Sequence, residues 1–220
     1  MATIVITGAN RGIGLALAQQ LSERGDTVLA TCRTKSEELD ASGAQIIEGV
    51  DVRENDSVER LAKVLDGRKI DILINNAGVL TREGLDDIDW DAMRFQFEIN
   101  ALGPIRMTKA LLPNMSSGAK VAIISSRMGS VGDNQAGGSY GYRMSKAAVN
   151  MAGSNLAIDL KGRGIAVILL HPGFVATDIN DHAGPVNTGD SAHGLIARID
   201  ALTLETTGTF RNFGGDELPW

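Results

Sequence analysis

Apolar residues along this chain fall into two patterns that take turns. Short, nearly unbroken runs cover Thr3–Thr7, Thr27–Thr31, Gln45–Ile47, Ile70–Ile74, Lys120–Ile124 and Ile165–Leu170, most of them rich in Val and Ile. Runs of this kind suit strands covered on both faces, as in a parallel sheet. Between them, Gly12–Arg24, Asp56–Leu65, Trp90–Leu112 and Tyr142–Leu160 have helical spacing and helical length. Alternating β and α elements predict an α/β fold with a doubly wound parallel sheet. After Pro172 the pattern weakens; Thr188–Leu202 reads as a helix and Gly208–Phe213 as a last strand. No Pro/Ser-rich linker, repeat or low-complexity segment divides the chain.

Composition narrows this picture. A chain of 220 residues fits one domain with a real core. Acidic residues outnumber basic ones, 27 to 21, with no basic block, so a nucleic-acid surface is not expected. The single cysteine, Cys32, cannot close an internal disulfide, which fits a reducing compartment. The N-terminus enters a strand-like run at once, without a basic leader or a long apolar stretch. The expectation is a cytoplasmic protein with neither signal peptide nor membrane span. No metal site is expected.

The polar and glycine signals gather where the strands end. The first strand runs into Thr7-Gly8-Ala9-Asn10-Arg11-Gly12-Ile13-Gly14, and a helix follows. Glycines there allow a tight turn and bring backbone N–H groups close to a phosphate, on which the helix dipole also acts. The spacing is Gly-x3-Gly-x-Gly, not the usual dinucleotide fingerprint. The second strand ends at Cys32-Arg33, where an NAD site would place a carboxylate. Arg33 stands there instead, and Arg11 lies inside the glycine loop. Two guanidiniums suit the 2′-phosphate of NADP(H) through charge-assisted hydrogen bonds; they also suit a solvated surface. Asp51-Val52 follows the third strand, where an acid could reach adenine nitrogens. Asn75-Asn76-Ala77-Gly78 follows the fourth, Ser125-Ser126 the fifth and Pro172-Gly173 the sixth. Asn100 falls inside a helical segment, where a buried amide needs a polar partner.

Tyr142 and Lys146 stand four apart, on one face of a helix. An ammonium beside a phenol favours the phenolate and makes tyrosine a usable acid or base. The same spacing is common on solvated helix faces, so the pair does not decide by itself.

Taken together, Thr7-Gly8-x3-Gly12-x-Gly14, Asp51-Val52, Asn75-Asn76-Ala77-Gly78, Asn100, Ser125-Ser126, Tyr142-x3-Lys146 and Pro172-Gly173-x3-Thr177 resemble the short-chain dehydrogenase/reductase family. The resemblance covers almost the whole chain. Within the family the chain is most similar to small carbonyl reductases and C-factor-like proteins, as is its end, Gly208 to Trp220. The resemblance implies a single NAD(P)-binding Rossmann domain over residues 1–220 and NADPH-dependent reduction of a ketone or aldehyde. Tyr142 would be the general acid, with its pKa lowered by Lys146, which would also bind the nicotinamide ribose. Ser126 would hydrogen-bond the substrate oxygen, and Asn100 would hold a water linking Lys146 to solvent. The cofactor would lie on Gly8, Asn10, Arg11, Gly12, Ile13, Gly14, Arg33, Asp51, Val52, Asn76, Ala77, Gly78, Tyr142, Lys146, Pro172, Gly173, Val175 and Thr177.

Some assignments have competitors. Tyr140 has Met144 four places on and so lacks the cation. Ser125 competes with Ser126, and the family pattern favours the second. His171 is read as a strand-end histidine with a structural hydrogen bond, and Trp90 and Trp220 as packing residues. The lid after the Pro-Gly motif is short, residues 178–189, which predicts an open pocket of broad carbonyl specificity. A homodimer through Trp90–Leu112 and Tyr142–Leu160 is expected from the family. The alternative function is an NADP-binding signalling protein with incidental turnover.

Overall fold

The apolar runs form seven strands in a computed structural model that describes residues 1–220. They are β1 (Thr3–Thr7), β2 (Thr27–Thr31), β3 (Gln45–Ile47), β4 (Ile70–Asn75), β5 (Met115–Ile124), β6 (Ala166–His171) and β7 (Thr209–Asn212). All pair in parallel, in the order β3-β2-β1-β4-β5-β6-β7. The helices are α1 (Gly12–Glu23), α2 (Glu37–Asp40), α3 (Asn55–Val64), α4 (Trp90–Phe97), α5 (Gly103–Leu111), α6 (Tyr140–Lys161) and α7 (Thr188–Asp200). This is a Rossmann-type doubly wound domain. The chain builds outward from β1 to β3, then crosses back to β4. That reversal leaves a crevice at the C-terminal ends of β1 and β4, where such sheets bind ligands.

Side chains alternate between two cores. Ile4, Ile6, Ile72 and Ile74 face α1 and α7, meeting Leu17, Leu21, Leu195 and Ile199. Val5, Leu73, Val121 and Ile123 face the other way, onto Leu61 of α3, Met107 of α5 and Val149 of α6. Both faces of each central strand are therefore dry, the condition that the unbroken apolar runs require. Lys120 of β5 ties α7 down, its Nζ donating to Ile199 O and Asp200 O at 2.8 Å each. A cation there complements the negative end of the helix dipole. No helix is long and apolar enough to cross a membrane.

Three elements differ from the pattern. Trp90–Leu112 is not one helix: a π-helical turn, Glu98–Leu102, separates α4 from α5, and a 3-10 turn, Leu112–Asn114, follows α5. Strand β5 begins at Met115, five residues before the apolar run. Its exposed Ser116, Ser117 and Gly118 hide the start, and the register shifts between Ile70 and Ile72. The one-turn α2, capped by Ser36, is too short to carry a period.

Candidate active site

The site starts where β1 and β4 end side by side. Thr7 Oγ1 accepts hydrogen bonds from the backbone N–H groups of Asn76 and Ala77, both at 3.0 Å. Asn76 Nδ2 returns two, to Thr7 O and Gly8 O, also at 3.0 Å. The turn between β1 and α1 is thereby fixed to the neighbouring strand. Gly8 and Gly12 both adopt left-handed conformations, φ 64° and 56°, which a side chain resists. A Cβ on Gly14 would lie 2.3 Å from Gly8 O and 2.5 Å from Asn76 Nδ2, so this glycine serves close packing of the helix on the turn. Residue Arg11 caps α1 with no side-chain hydrogen bond, and the first turn carries no acid. Its N–H groups and dipole are left free of competing carboxylates. Asn10 O accepts from Ser36 Oγ at 2.7 Å, which ties the turn to the loop after β2. Ser36 is a supporting residue that sequence reading missed, as it missed the contacts of Thr7, a residue it placed only within the glycine motif. Ser36 before Glu37-Glu38 carried a cap signal, whereas the Thr7 contacts span about seventy residues and have no local signature.

Along the crevice, Arg33 is exposed at the end of β2 and stands within electrostatic reach of Asp51. The Asp51 carboxylate is gripped by Arg53 through Nε and Nη2, at 2.6 to 3.1 Å, which holds its pKa below the usual value. Val52 is buried beside Gly103. Opposite, Pro172 O accepts from Ser191 Oγ of α7 at 2.7 Å, and Gly173 is again left-handed at φ 93°. Val175 bridges to Val186. Thr177 is buried facing the glycine turn, its Cγ2 3.4 Å from the place a Cβ on Gly12 would take. Residues 178–189 then cross the crevice: Asp178 pairs with Arg11 at 3.0 Å, and Asp181 with Arg82 at 3.6 Å.

The chemical groups meet at the start of α6. Lys146 is buried, and its Nζ donates to Ile124 O at 2.9 Å while lying 5.7 Å from the centre of the Tyr142 ring. Burial pushes the Lys146 ammonium down to about 8. Tyr142 is half-buried; desolvation pushes its phenol up, and a hydrogen bond with the Ser126 side chain pulls it partly back. In this geometry burial sets the direction for the Tyr142 phenol, and the lowering expected from Lys146 belongs to the proposed mechanism below. Ser125 is turned away, its Oγ donating to Asn150 Oδ1 at 2.6 Å. Of the two serines, only Ser126 reaches the phenol.

Asn100 lies in the π-helical turn. Its Oδ1 accepts from Val79 N at 2.9 Å, and its Nδ2 donates to Val79 O at 2.9 Å and Ser145 Oγ at 3.0 Å. A Cβ added to Gly78 would sit 3.3 Å from Asn100 Oδ1 and 3.7 Å from Lys146 Nζ. The buried amide thus has its polar partners, and the widened turn lets it reach them; π-bulges recur at functional sites.

Two readings of single residues are corrected. His171 Nδ1 is buried without a hydrogen-bond partner. Burial, with Arg127 and Lys146 nearby, lowers its pKa to about 4 and keeps it neutral. Trp90 is 62 % exposed at the start of α4, so it is not a core residue, whereas Trp220 packs on Phe210 with ring centres 5.7 Å apart.

The chain is similar in sequence and fold to known proteins. The family model described as short chain dehydrogenase matches residues 2–187. A 1-hydroxy-2-glutathionyl-2-methyl-3-butene dehydrogenase of Rhodococcus sp. (strain AD45) is 44 % identical over 226 residues, covering all of both chains. The C-signal protein of Myxococcus xanthus is 46 % identical over 154 residues, 69 % of this chain and 93 % of its own. The crystal structure of NADPH-bound carbonyl reductase from chicken fatty liver superposes with a TM-score of 0.91 at 29 % identity, covering 100 % of this chain and 99 % of the other.

Proposed function

Since the chain belongs to the short-chain dehydrogenase/reductase family, in its carbonyl-reductase and C-factor-like branch, we propose that it is an NADPH-dependent reductase of ketones and aldehydes. It is an oxidoreductase; the direction, the cofactor and the residue roles are our reading. The observation that carries it is the half-buried Tyr142, with the Ser126 side chain acting on its phenol and the buried ammonium of Lys146 5.7 Å from its ring centre.

The donor set fits a dinucleotide phosphate. The acid-free start of α1 and the left-handed Gly8 and Gly12 offer backbone N–H groups to a pyrophosphate. Arg33, exposed and in no ion pair, and Arg11 flank the position a 2′-phosphate would take. Asp51 and Val52 would meet the adenine; Asn76, Ala77 and Gly78 would line the path inward. Pro172, Gly173, Val175 and Thr177 would cover the nicotinamide end. A bound reduced nicotinamide supplies the hydride.

The chain's own groups do the rest. Tyr142 gives its phenolic proton to the carbonyl oxygen, and Ser126 donates a hydrogen bond to that same oxygen as charge develops on it. Lys146 stays largely cationic at neutral pH with a pKa of about 8, holds the ribose hydroxyls and favours the phenolate that Tyr142 leaves behind. Asn100, beside Gly78 and Lys146, keeps the route by which that proton is replaced. The lid of residues 178–189 leaves room for varied carbonyls.

The test is an assay following NADPH absorbance over a panel of aldehydes, ketones and diketones, with glutathionyl alcohols run in the oxidative direction. Tyr142→Phe should lose about 10²- to 10⁴-fold in kcat while still binding NADPH; full rate would sink the mechanism. A signalling role with incidental turnover is the second reading, favoured by the likeness to the C-signal protein. Tight NADPH binding with no turnover on any panel member would select it.

A further inference from the structure

We propose that Glu83 is a positioning residue for Tyr142: a buried carboxylate that caps α6 from outside the helix. The inference rests on Tyr142 being the proton donor. Helix α6 starts without a cap of its own. Ser139 stands at the N-cap in a left-handed conformation, φ 47°, and makes no side-chain hydrogen bond to the first turn. Yet Gly141 and Tyr142 lie in that turn, where backbone N–H groups lack helical partners.

Glu83, on the loop after β4, supplies what is missing. Its Oε2 accepts from Gly141 N at 3.3 Å, and its main-chain O accepts from Ser139 N at 2.8 Å. The residue is 4 % exposed and its partners are dipoles rather than a cation. Thr81 Oγ1 donates to Glu83 Oε1, and Gln96 Nε2, fully buried on α4, donates to the same oxygen at 2.9 Å. Gln96 is held in turn, with Oε1 accepting from Thr81 N at 3.0 Å and Nε2 donating to Thr81 Oγ1 at 2.6 Å. A Cβ on Gly141 would fall 2.4 Å from Gln96 Nε2, so the first turn of α6 rests directly on this cluster.

A negative charge at a helix N-terminus is favourable, and two attachments, three residues and one residue before Tyr142, fix both the height and the rotation of its turn. A capping role alone would affect stability. What makes Glu83 more than a cap is that the residue after Gly141 carries the phenol. A shift of the turn by a fraction of an ångström would carry Tyr142 away from Ser126.

Glu83→Gln should separate these roles. An amide cannot accept from Gly141 N with one atom while accepting from Thr81 and Gln96 with the other. We expect kcat to fall about 10- to 100-fold while KM for NADPH changes less than about threefold. The double variant Glu83→Gln with Gln96→Glu restores a complete set: the new amide oxygen accepts from Gly141, its nitrogen donates to the carboxylate at 96, and Thr81 keeps its partners. It should recover most of the lost kcat. A second measurement needs neither cofactor nor substrate. In a Tyr140→Phe background, where Tyr142 is the only tyrosine left, Glu83→Gln should bring the phenol ionisation down, by loosening the first turn of α6 and opening a buried group to water. Full kcat in Glu83→Gln, no recovery in the swap, or an unmoved titration would each overturn the inference. If the wild-type protein turns over no carbonyl at all, the proposed function falls, and the titration still judges Glu83.

Discussion

Lys146 shows what the site costs the fold. An ammonium with an ordinary pKa near 10.5 is held at about 8, a difference of roughly 3 kcal/mol in the folded protein's disfavour. Below about pH 8 the residue is charged in both the folded protein and the unfolded chain, and the whole penalty is felt. Between about 8 and 10.5 the unfolded chain keeps the proton that the folded protein has released, so stability rises with pH until the penalty is gone. Lys146→Met should therefore raise stability at pH 7 by about 2 kcal/mol, after allowing for the bond to Ile124 O that it gives up. The gain should shrink as unfolding in urea is repeated towards pH 10.5, and turnover should be lost throughout. A destabilised Lys146→Met at pH 7 would mean that the ammonium's hydrogen bond outweighs its burial. Arg33 gives the matching prediction for the cofactor. Exposed at the end of β2 and free of ion pairs, it has nothing in the fold to hold. Arg33→Ala should weaken NADPH by about 10- to 100-fold, leave NADH nearly unchanged and leave the melting temperature where it was. Equal losses for both cofactors would remove Arg33 from the 2′-phosphate site.

Elements carry the next lesson, at the crossing of α4 and α6. Gly141 is glycine because Gln96 Nε2 and Met93 Cγ would stand 2.4 and 2.9 Å from any Cβ there. Gly141→Ala should destabilise the protein by about 1–3 kcal/mol in urea unfolding, with kcat falling more than stability explains, since α4 would push the first turn of α6 outward. No sequence pattern announces this glycine, which follows Tyr140 like any residue of a helix. What could be read from sequence is what repeats locally. The strands of Val and Ile, the glycine turn and the Tyr142–Lys146 spacing each lie within a few residues, and the fold followed from them. The π-helical turn could not be read, because the five residues Glu98–Leu102 fit an ordinary helix equally well. Its cause is distant: Asn100 has to meet Val79 and Ser145, 21 and 45 residues away. The same applies to Thr7 with Asn76, and to Glu83 with Gly141. Period and spacing find the groups that do chemistry, while the groups that hold them in place are chosen by neighbours far along the chain.

For the whole molecule, one surface remains to be accounted for. Met144, Met151 and Ile158 are 55, 64 and 71 % exposed along α6. They are seven residues apart, and seven residues come within about 20° of two full turns, so they form one stripe along the helix. Phe97 and Ile105, beside the junction of α4 and α5, are also exposed. Large apolar side chains lined up in this way suit a pairing surface. The proposed occupant is a second copy of this chain, pairing α6 with α6 around a two-fold axis, which puts identical stripes face to face. Light scattering should then find twice the mass of one chain for the wild type, and the single-chain mass for Met151→Glu combined with Ile158→Glu. At about 100° per residue, Met151 lies half a turn round the helix from Tyr142, so the variant leaves the reacting face alone. Turnover per chain should persist in the monomer. If breaking the pair also abolished kcat, the partner would be holding α6 in place, and the cap supplied by Glu83 would not be sufficient by itself.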